Sequence, residues 1–450
     1  MTIQRYWHEG IEALPEAQLR TLQLERLRWQ IARCYSGSDF YRERLDKAGL
    51  RPGDIRSLED IQRLPVLTKD ELRNEQAAHP PFGRFVVAPK AAWRELHPST
   101  GTTGRPVNTI WSDDDVDTIS QVTARTLWQF GARPGDVLQN AFAYGLWVAG
   151  MAAHYGARLI GALCVPVGAA VATQKQLEFM TTARSTVLLA TPSYGMYMAE
   201  SLRAGGIDPA SLDLRLGCFG GEAGAEAHAT RVKLERGLGI QAFDYYGLAE
   251  IGPTFASECE AKAGLHFAED YVLVECIDPS TLRPVQDGDV GVLVLTHLTR
   301  QATPMLRYWT NDYARLDRST CACGRTHVRT PGGILGRHDD LVIYKGAKFY
   351  PVQVEKVVRA NPLLSDEFRI RIVRANSSQV TRCTVVAELM GGSDTDLAVA
   401  ELRRDLRTEL GVTPDVDLVT FGSLDRTTFK AKRIEVVSET DTETTTGATT

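Results

Sequence analysis

Leu14, Leu19, Leu22, Leu24, Leu27 and Ile31 recur near the helical period, with arginine and glutamate on the other faces. That spacing predicts a helical region over residues 1–75. From about 85 to 335 the pattern alternates. Short β-rich runs at 185–190 and 291–296 are separated by amphipathic stretches such as 222–235, and strands interleaved with helices predict an α/β layered domain. The character changes again near Gly336-Arg-His-Asp-Asp340. A strand at 341–344, a helix at 352–360, strands at 367–374 and 381–389 and a helix at 396–410 predict a small α+β unit. The expected organisation is therefore a large α/β domain over 1–336, a second domain over 337–437, and a tail. That tail, 438–450, carries seven threonines and no large apolar side chain, so it is expected to be disordered.

Composition narrows the class. The chain has 450 residues, 43% hydrophobic and 24% charged, which is enough apolar material for more than one core and excludes a disordered or fibrous chain. A net charge of −5 argues against a non-specific nucleic-acid or anionic-membrane binder. The eight cysteines are too sparse for a disulfide scaffold. The opening lacks the apolar core of a signal peptide, and the longest apolar stretch, 145–172, is interrupted by His154 and Arg158. A cytoplasmic protein is the expectation.

The strongest local signal is Ser99-Thr100-Gly101-Thr102-Thr103-Gly104-Arg105-Pro106. Two glycines and four hydroxyl residues allow a tight loop whose backbone N–H groups point inward at phosphate oxygens. It lacks the Gly-Lys-Ser/Thr ending of a Walker loop. A second signal is Cys259-x6-His266 together with Cys321-x-Cys323, three sulfurs and one imidazole, the inventory of a closed tetrahedral zinc site. The same cysteines also suit plain burial as small apolar side chains. His327 and Cys276 are the reserve ligands.

Further motifs follow in order: Gly220-Gly221-Glu222, Asp244-Tyr245-Tyr246-Gly247-Leu-Ala-Glu250, Tyr308-Trp-Thr-Asn-Asp312, Gly336-Arg337-His-Asp339-Asp340, Lys345-Gly-Ala-Lys-Phe-Tyr-Pro351 and Arg426-Thr-Thr-Phe-Lys430-Ala-Lys-Arg433. With the Ser99 loop, this series resembles the adenylate-forming superfamily of acyl- and aryl-CoA ligases and adenylation domains. Tyr6-Trp7, Gln23-Leu-Glu-Arg-Leu27, Phe40-Tyr41, Leu64-Pro-Val-Leu-Thr-Lys69, Tyr144-Gly-Leu146 and Ala153-His-Tyr-Gly156 narrow the resemblance to the phenylacetate–CoA ligase family, over residues 5–437. The chain departs from the usual motif at Asp425, where the family has proline, and at Phe429, where it has glycine.

The resemblance implies an ATP-dependent aryl–CoA ligase that forms an acyl-adenylate with pyrophosphate release, then a thioester with AMP release. It makes Ser99 to Gly104 the loop for the β- and γ-phosphates. Gly220, Gly221 and Glu222 become the adenine turn, with Asp244, Tyr245, Tyr246 and Gly247 lining the adenine side. Glu250 becomes the carboxylate for magnesium, Asp312 and Arg337 the ribose contacts, Asp339 the hinge and Lys430 the adenylation lysine of a mobile C-terminal domain. Lys432 and Arg433 stand beside Lys430, so a solvated basic face is the plainer reading of that run. Phe142, Tyr144, Trp147, Ala149, Tyr245 and Gly247 are the expected acid-pocket lining. Flanks of the cysteine motifs resemble a metal-bearing branch of the family, and a homodimer is implied. Phenylacetate, indoleacetate and benzoate are the acids in view. The alternatives are an adenylation enzyme that loads a carrier protein, or a regulator that binds nucleotide or acid without turnover.

Overall fold

The computed structural model describes residues 4–99, 105–222, 224–374, 380–426 and 433–437. The expected phosphate-loop positions 100–104, Lys430 and the 438–450 tail lie outside them. The chain divides into two compact units. The first comprises 1–190, 210–221 and 240–334; the second comprises 191–209, 222–239 and 335–450. The last segment of the second unit begins at Leu335, and two helices from earlier in the chain, inside the expected 1–336 domain, belong to the same unit.

The first unit is built on an eight-stranded sheet. Leu163–Val165, Val137–Asn140, Val187–Ala190, Leu216–Phe219 and Gln241–Leu248 lie side by side in parallel. Gly252–Ser257, Leu265–Phe267 and Arg329–Thr330 then continue the sheet antiparallel. Val187–Ala190 and Leu216–Phe219 are buried at every position, the signature of parallel strands covered on both faces. The helix Asp113–Phe130 packs on this sheet together with Val148–Ile160. Its start is fixed by Ser112 and Asp115, each accepting a hydrogen bond from the other's backbone N–H.

At the N-terminal side, Leu27, Ile31 and Cys34 of the helix Glu16–Gly37 enter a core shared with Val272, Leu293 and Leu295. Those last three belong to an antiparallel array of Val272–Ile277, Val290–His297 and Tyr308–Arg315. Phe142, Tyr144, Gly220, Gly221 and Glu250 fall past the carboxyl ends of parallel strands, where open α/β sheets bind ligands, whereas Asp312 lies within the antiparallel array.

In the second unit, Asp415–Thr420, Val380–Leu389, Leu364–Arg374 and Ile434–Val437 form one mixed sheet. The helices Pro351–Ala360 and Thr395–Leu410 share its apolar core through Val354, Val358, Leu402 and Leu406. The stretch 222–235, read from sequence as one amphipathic element, becomes a helix only at His228. No helix among the described residues is long and apolar enough to cross a membrane.

Candidate active site

The residues that flank the expected phosphate loop form a hairpin. Glu95–Pro98 pairs antiparallel with Asn108–Trp111, and Ser99 closes the base: its hydroxyl accepts from the Val107 N–H at 3.0 Å, and its own N–H donates to the Val107 carbonyl at 2.7 Å. Beyond the loop, the Arg105 carbonyl accepts from Arg73.

The strand Gln241–Leu248 carries most of the adenine-side candidates. Asp244 is tied to Glu258 by two hydrogen bonds, its N–H donating to the carboxylate and its carbonyl accepting from the Glu258 N–H. Tyr245 points into the core beside Phe142, ring centroids 6.1 Å apart and edge-on, and burial pushes its phenol far above the usual range. Tyr246 points the other way and donates from its hydroxyl to Asp312 Oδ2 at 2.6 Å. Alternation along one strand thus sends Tyr245 to the aromatic cluster around Phe142 and Tyr246 to the Asp312 carboxylate. Two glycines make this crowding possible. A Cβ at Gly220 would lie 2.7 Å from the Tyr245 ring, and one at Gly247 would lie 1.9 Å from the Pro253 carbonyl oxygen. Gly221 follows in the left-handed region, at φ 87°.

Asp312 is buried on the strand Tyr308–Arg315, and its N–H donates to Thr310 Oγ1 at 3.0 Å. Glu250 is buried just beyond Leu248, with Lys69 Nζ 2.9 Å from its Oε1. Lys69 opens the helix Lys69–Ala78, whose start is set by a reciprocal Thr68–Glu71 cap. The loop after Glu250 is held from behind. The Tyr271 hydroxyl and His297 Nε2 both donate to the Ile251 carbonyl, while His297 Nδ1 accepts from the Met305 N–H at 2.9 Å. Complete burial, reinforced by the Arg300 charge, lowers His297 to about 3, so it stays neutral and a dependable donor. Lys69, Tyr271 and His297 were not among the residues picked from sequence. Lys69 stood inside a quoted motif, but its partner is far along the chain.

The acid-side candidates form an aromatic group. Phe142 is fully buried, with Trp147 edge-on at 5.8 Å, so it backs the cluster from beneath. Tyr144 accepts from Asn140 Nδ2 at 2.8 Å, and burial raises its phenol pKa. Asn140 also donates to the Gly150 carbonyl, which fixes the turn before the helix bearing Ala149. In the second unit, Glu222 accepts from the Ser193 N–H at 2.8 Å. Arg337 forks onto Asp339 at 3.0 and 3.1 Å.

Cys259, His266, Cys321 and Cys323 are all buried, with their ligand atoms within 4.8 Å of one another. Cys259 Sγ lies 3.8 Å from Cys321 Sγ, and Cys323 Sγ lies 3.5 Å from His266 Nε2. A tetrahedral zinc ion spaces two thiolates by about 3.8 Å and a thiolate from an imidazole nitrogen by about 3.5 Å, so the set fits that ion. His266 Nδ1 lies 3.2 Å from the His327 carbonyl, an orientation that turns Nε2 toward the sulfurs. The Cys323 thiol is held low by hydrogen bonds from Cys259 and His266 against the opposing effect of burial. The reserve ligands are engaged elsewhere: His327 with the Phe267 and Ile11 carbonyls, Cys276 with the Ala314 carbonyl.

A phosphate-loop hairpin, a tyrosine-held carboxylate and a buried Glu250 on one α/β scaffold agree with comparison to known proteins. The model of the AMP-binding enzyme family matches residues 61–309, and that of the AMP-binding enzyme C-terminal domain matches 346–435. A phenylacetate–coenzyme A ligase of Thermus thermophilus is 42% identical over 81% of this chain and 80% of its own length. One from Aromatoleum evansii is 35% identical over 95% and 96%. The chain belongs to the phenylacetate–CoA ligase family of AMP-binding enzymes. Members are ATP-dependent acid–CoA ligases, and this chain is an enzyme of that kind. Among solved structures, a 2-hydroxyisobutyryl-CoA ligase in its postadenylation state is 30% identical, with a TM-score of 0.93 over 99% of this chain and 95% of the other.

Proposed function

We propose that this ligase activates an aromatic carboxylic acid of the phenylacetate, indoleacetate or benzoate type and passes it to CoA. The observation that carries the reading is the Tyr245/Tyr246 division: one strand supports an aromatic acid-side cluster on one face and the Asp312 carboxylate on the other. Asp312 accepts the two ribose hydroxyls, a task suited to a carboxylate that the Tyr246 phenol holds in place. The turn Gly220–Gly221 and Glu222 receive the adenine. Ser99 and the loop it closes hold the outer phosphates. Magnesium, when bound, neutralises phosphate charge that grows as pyrophosphate leaves, and Glu250 would hold it, exchanging Lys69 for the ion. Lys430 holds the acid carboxylate against the α-phosphate; its point charge suits developing negative charge. The carboxylate oxygen attacks the α-phosphorus, pyrophosphate departs, and the CoA thiolate then displaces AMP. Arg337 and Asp339 mark the hinge about which residues 340–437 turn between the two steps.

The Cys259–His266–Cys321–Cys323 set would hold a structural zinc ion away from the chemistry, since a closed four-ligand site leaves no open position. A cytoplasmic homodimer completes the reading.

The test is acid-dependent pyrophosphate release, with and without CoA, over a panel of phenylacetate, indoleacetate, benzoate and 2-hydroxyisobutyrate. AMP and thioester with an aryl acid are expected. Turnover of 2-hydroxyisobutyrate alone would move this chain to the small-acid class of its structural neighbour. Pyrophosphate release that never proceeds to a CoA thioester would favour a carrier-protein acceptor.

A further inference from the structure

Arg426 and Arg433 bound the run that contains Lys430, and each shares its guanidinium between a sheet acid with a nearby carbonyl and a residue of one helix. Arg426 Nη1 donates to Glu388 Oε1 at 2.6 Å, while Nη2 reaches the two carboxylate oxygens of Glu200 at 3.3 and 3.4 Å. Glu388 is fully buried and itself fixed, accepting from the Leu424 N–H at 2.7 Å and the Ser365 hydroxyl at 2.9 Å. Arg433 repeats the arrangement. Its Nη1 donates to Glu367 Oε2 at 2.8 Å, its guanidinium covers the Phe368 ring at 4.5 Å, and its Nη2 donates to Ser193 Oγ at 3.1 Å. The same hydroxyl accepts from Arg359, a fully buried arginine that is ion-paired with Glu355 and also donates to Thr230.

In both cases an acid from the mixed sheet of the second unit orients the arginine, and the remaining nitrogen is offered to the helix Pro192–Ala204. Ser193 and Glu200 are seven positions apart, about two turns, and so lie on one face of that helix. One helix face therefore contacts both ends of the Lys430 run. The sheet acids remain with the arginines if the helix contacts part, so neither guanidinium is left buried without an anion. Contacts of that kind can form and break without a large desolvation penalty.

We infer that Ser193 and Glu200 are positioning residues for the adenylation step, fixing the two ends of the run from which Lys430 acts. This rests on the reading of Lys430 as the adenylation lysine. Ser193 and Glu200 themselves act through Arg433 and Arg426, and the second half-reaction, which does not use Lys430, is indifferent to them. A helix face that merely braced the fold would affect both half-reactions alike.

The experiment measures both half-reactions on full-length protein: acid-dependent ATP–pyrophosphate exchange, and thioester formation from supplied acyl-adenylate and CoA. Glu200→Ala is expected to slow exchange about fivefold and Ser193→Ala about threefold. Glu200→Lys should slow it further, and Glu200→Gln, which keeps one acceptor oxygen, should recover part of the loss. Thioester formation should stay within about twofold for all four. Lys430→Ala is run alongside. If it abolishes exchange while Glu200→Ala and Ser193→Ala leave exchange unchanged, or lower both half-reactions equally, the positioning role is overturned and the lysine reading stands. If Lys430→Ala leaves exchange intact, the lysine reading itself fails, and the inference with it.

Discussion

The cysteine–histidine cluster and the Asp312–Glu250 carboxylates are both buried in the first unit, yet they treat their polar atoms differently. In the cluster, four ligand atoms converge within 4.8 Å of one another, with the Cys259–Cys321 and Cys323–His266 separations at tetrahedral edge lengths. The carboxylates are held differently. Each is fixed from one side by a neighbour of its own, Tyr246 for Asp312 and Lys69 for Glu250, and the loop after Glu250 is supported from behind by Tyr271 and His297. A self-directed set of donors adds stability when an ion joins it and has nothing to offer a substrate. Carboxylates braced from the protein side keep their geometry for a ligand, which is what a binding site for hydroxyls or a hard cation requires.

Removing a carboxylate should cost far more in activity than in stability. Asp312→Ala deletes the acceptor proposed for the two ribose hydroxyls, and kcat/KM for ATP is expected to fall roughly 1000-fold, about 4 kcal/mol, with the melting temperature little changed. An unaltered KM for ATP would move the ribose contact elsewhere. The cluster should behave in the opposite sense. Cys323→Ser, or stripping the metal with a strong chelator, is expected to lower unfolding stability by roughly 3 kcal/mol while kcat in the cold stays within about twofold. Metal analysis of the untreated protein should find about one zinc per chain. Loss of activity without loss of stability would place the cluster in the chemistry and erase the contrast.

The smallest effect concerns the support behind Glu250. His297 sits at about 3 when folded, against an ordinary value near 6.5, so the unfolded chain binds a proton that the folded one refuses. Its contribution is complete above the unfolded value and is lost progressively as pH falls from about 6.5 toward 3. Between pH 7.5 and 5.5 that amounts to about 1.4 kcal/mol. Urea unfolding at the two pH values should show that excess loss in the wild type relative to His297→Gln, whose amide can still donate to the Ile251 carbonyl. Equal losses would mean that His297 does not titrate between the two states.

What could be read from sequence follows the range of the forces involved. The strands at 187–190 and 290–297 and the helices of the C-terminal segment were legible because period and burial are local properties. The Cys259–His266 and Cys321–Cys323 pairs were legible because ligand chemistry restricts residue type as well as spacing. The stretch from Glu222 misled because its amphipathic period ignores a cramped backbone. Gly224 sits at φ 133° with Arg359 Nη1 2.8 Å from where a Cβ would be, and the helix starts only at His228. The Lys69–Glu250 pair and the arginine contacts on Ser193 and Glu200 left no local trace. Each joins ordinary charged or hydroxyl residues from distant parts of the chain, and only the fold brings them together.

The cysteine cluster also clasps the start of the described chain. The Tyr6 hydroxyl donates to the Cys323 carbonyl, Thr326 Oγ1 donates to the Leu14 carbonyl, and the buried Arg325 pairs with the buried Glu12 at 2.8 Å. Glu12 and Arg325 are 313 positions apart. At ribosomal speeds of about 5–20 residues per second, Glu12 emerges roughly 15–60 s before its partner exists. During that interval Glu12 lacks the guanidinium it pairs with in the folded chain, while Trp7 can already find Trp128 and Gln121. The Glu12–Arg325 pair is therefore a late contact of the first unit, since it cannot form until residue 325 has been made.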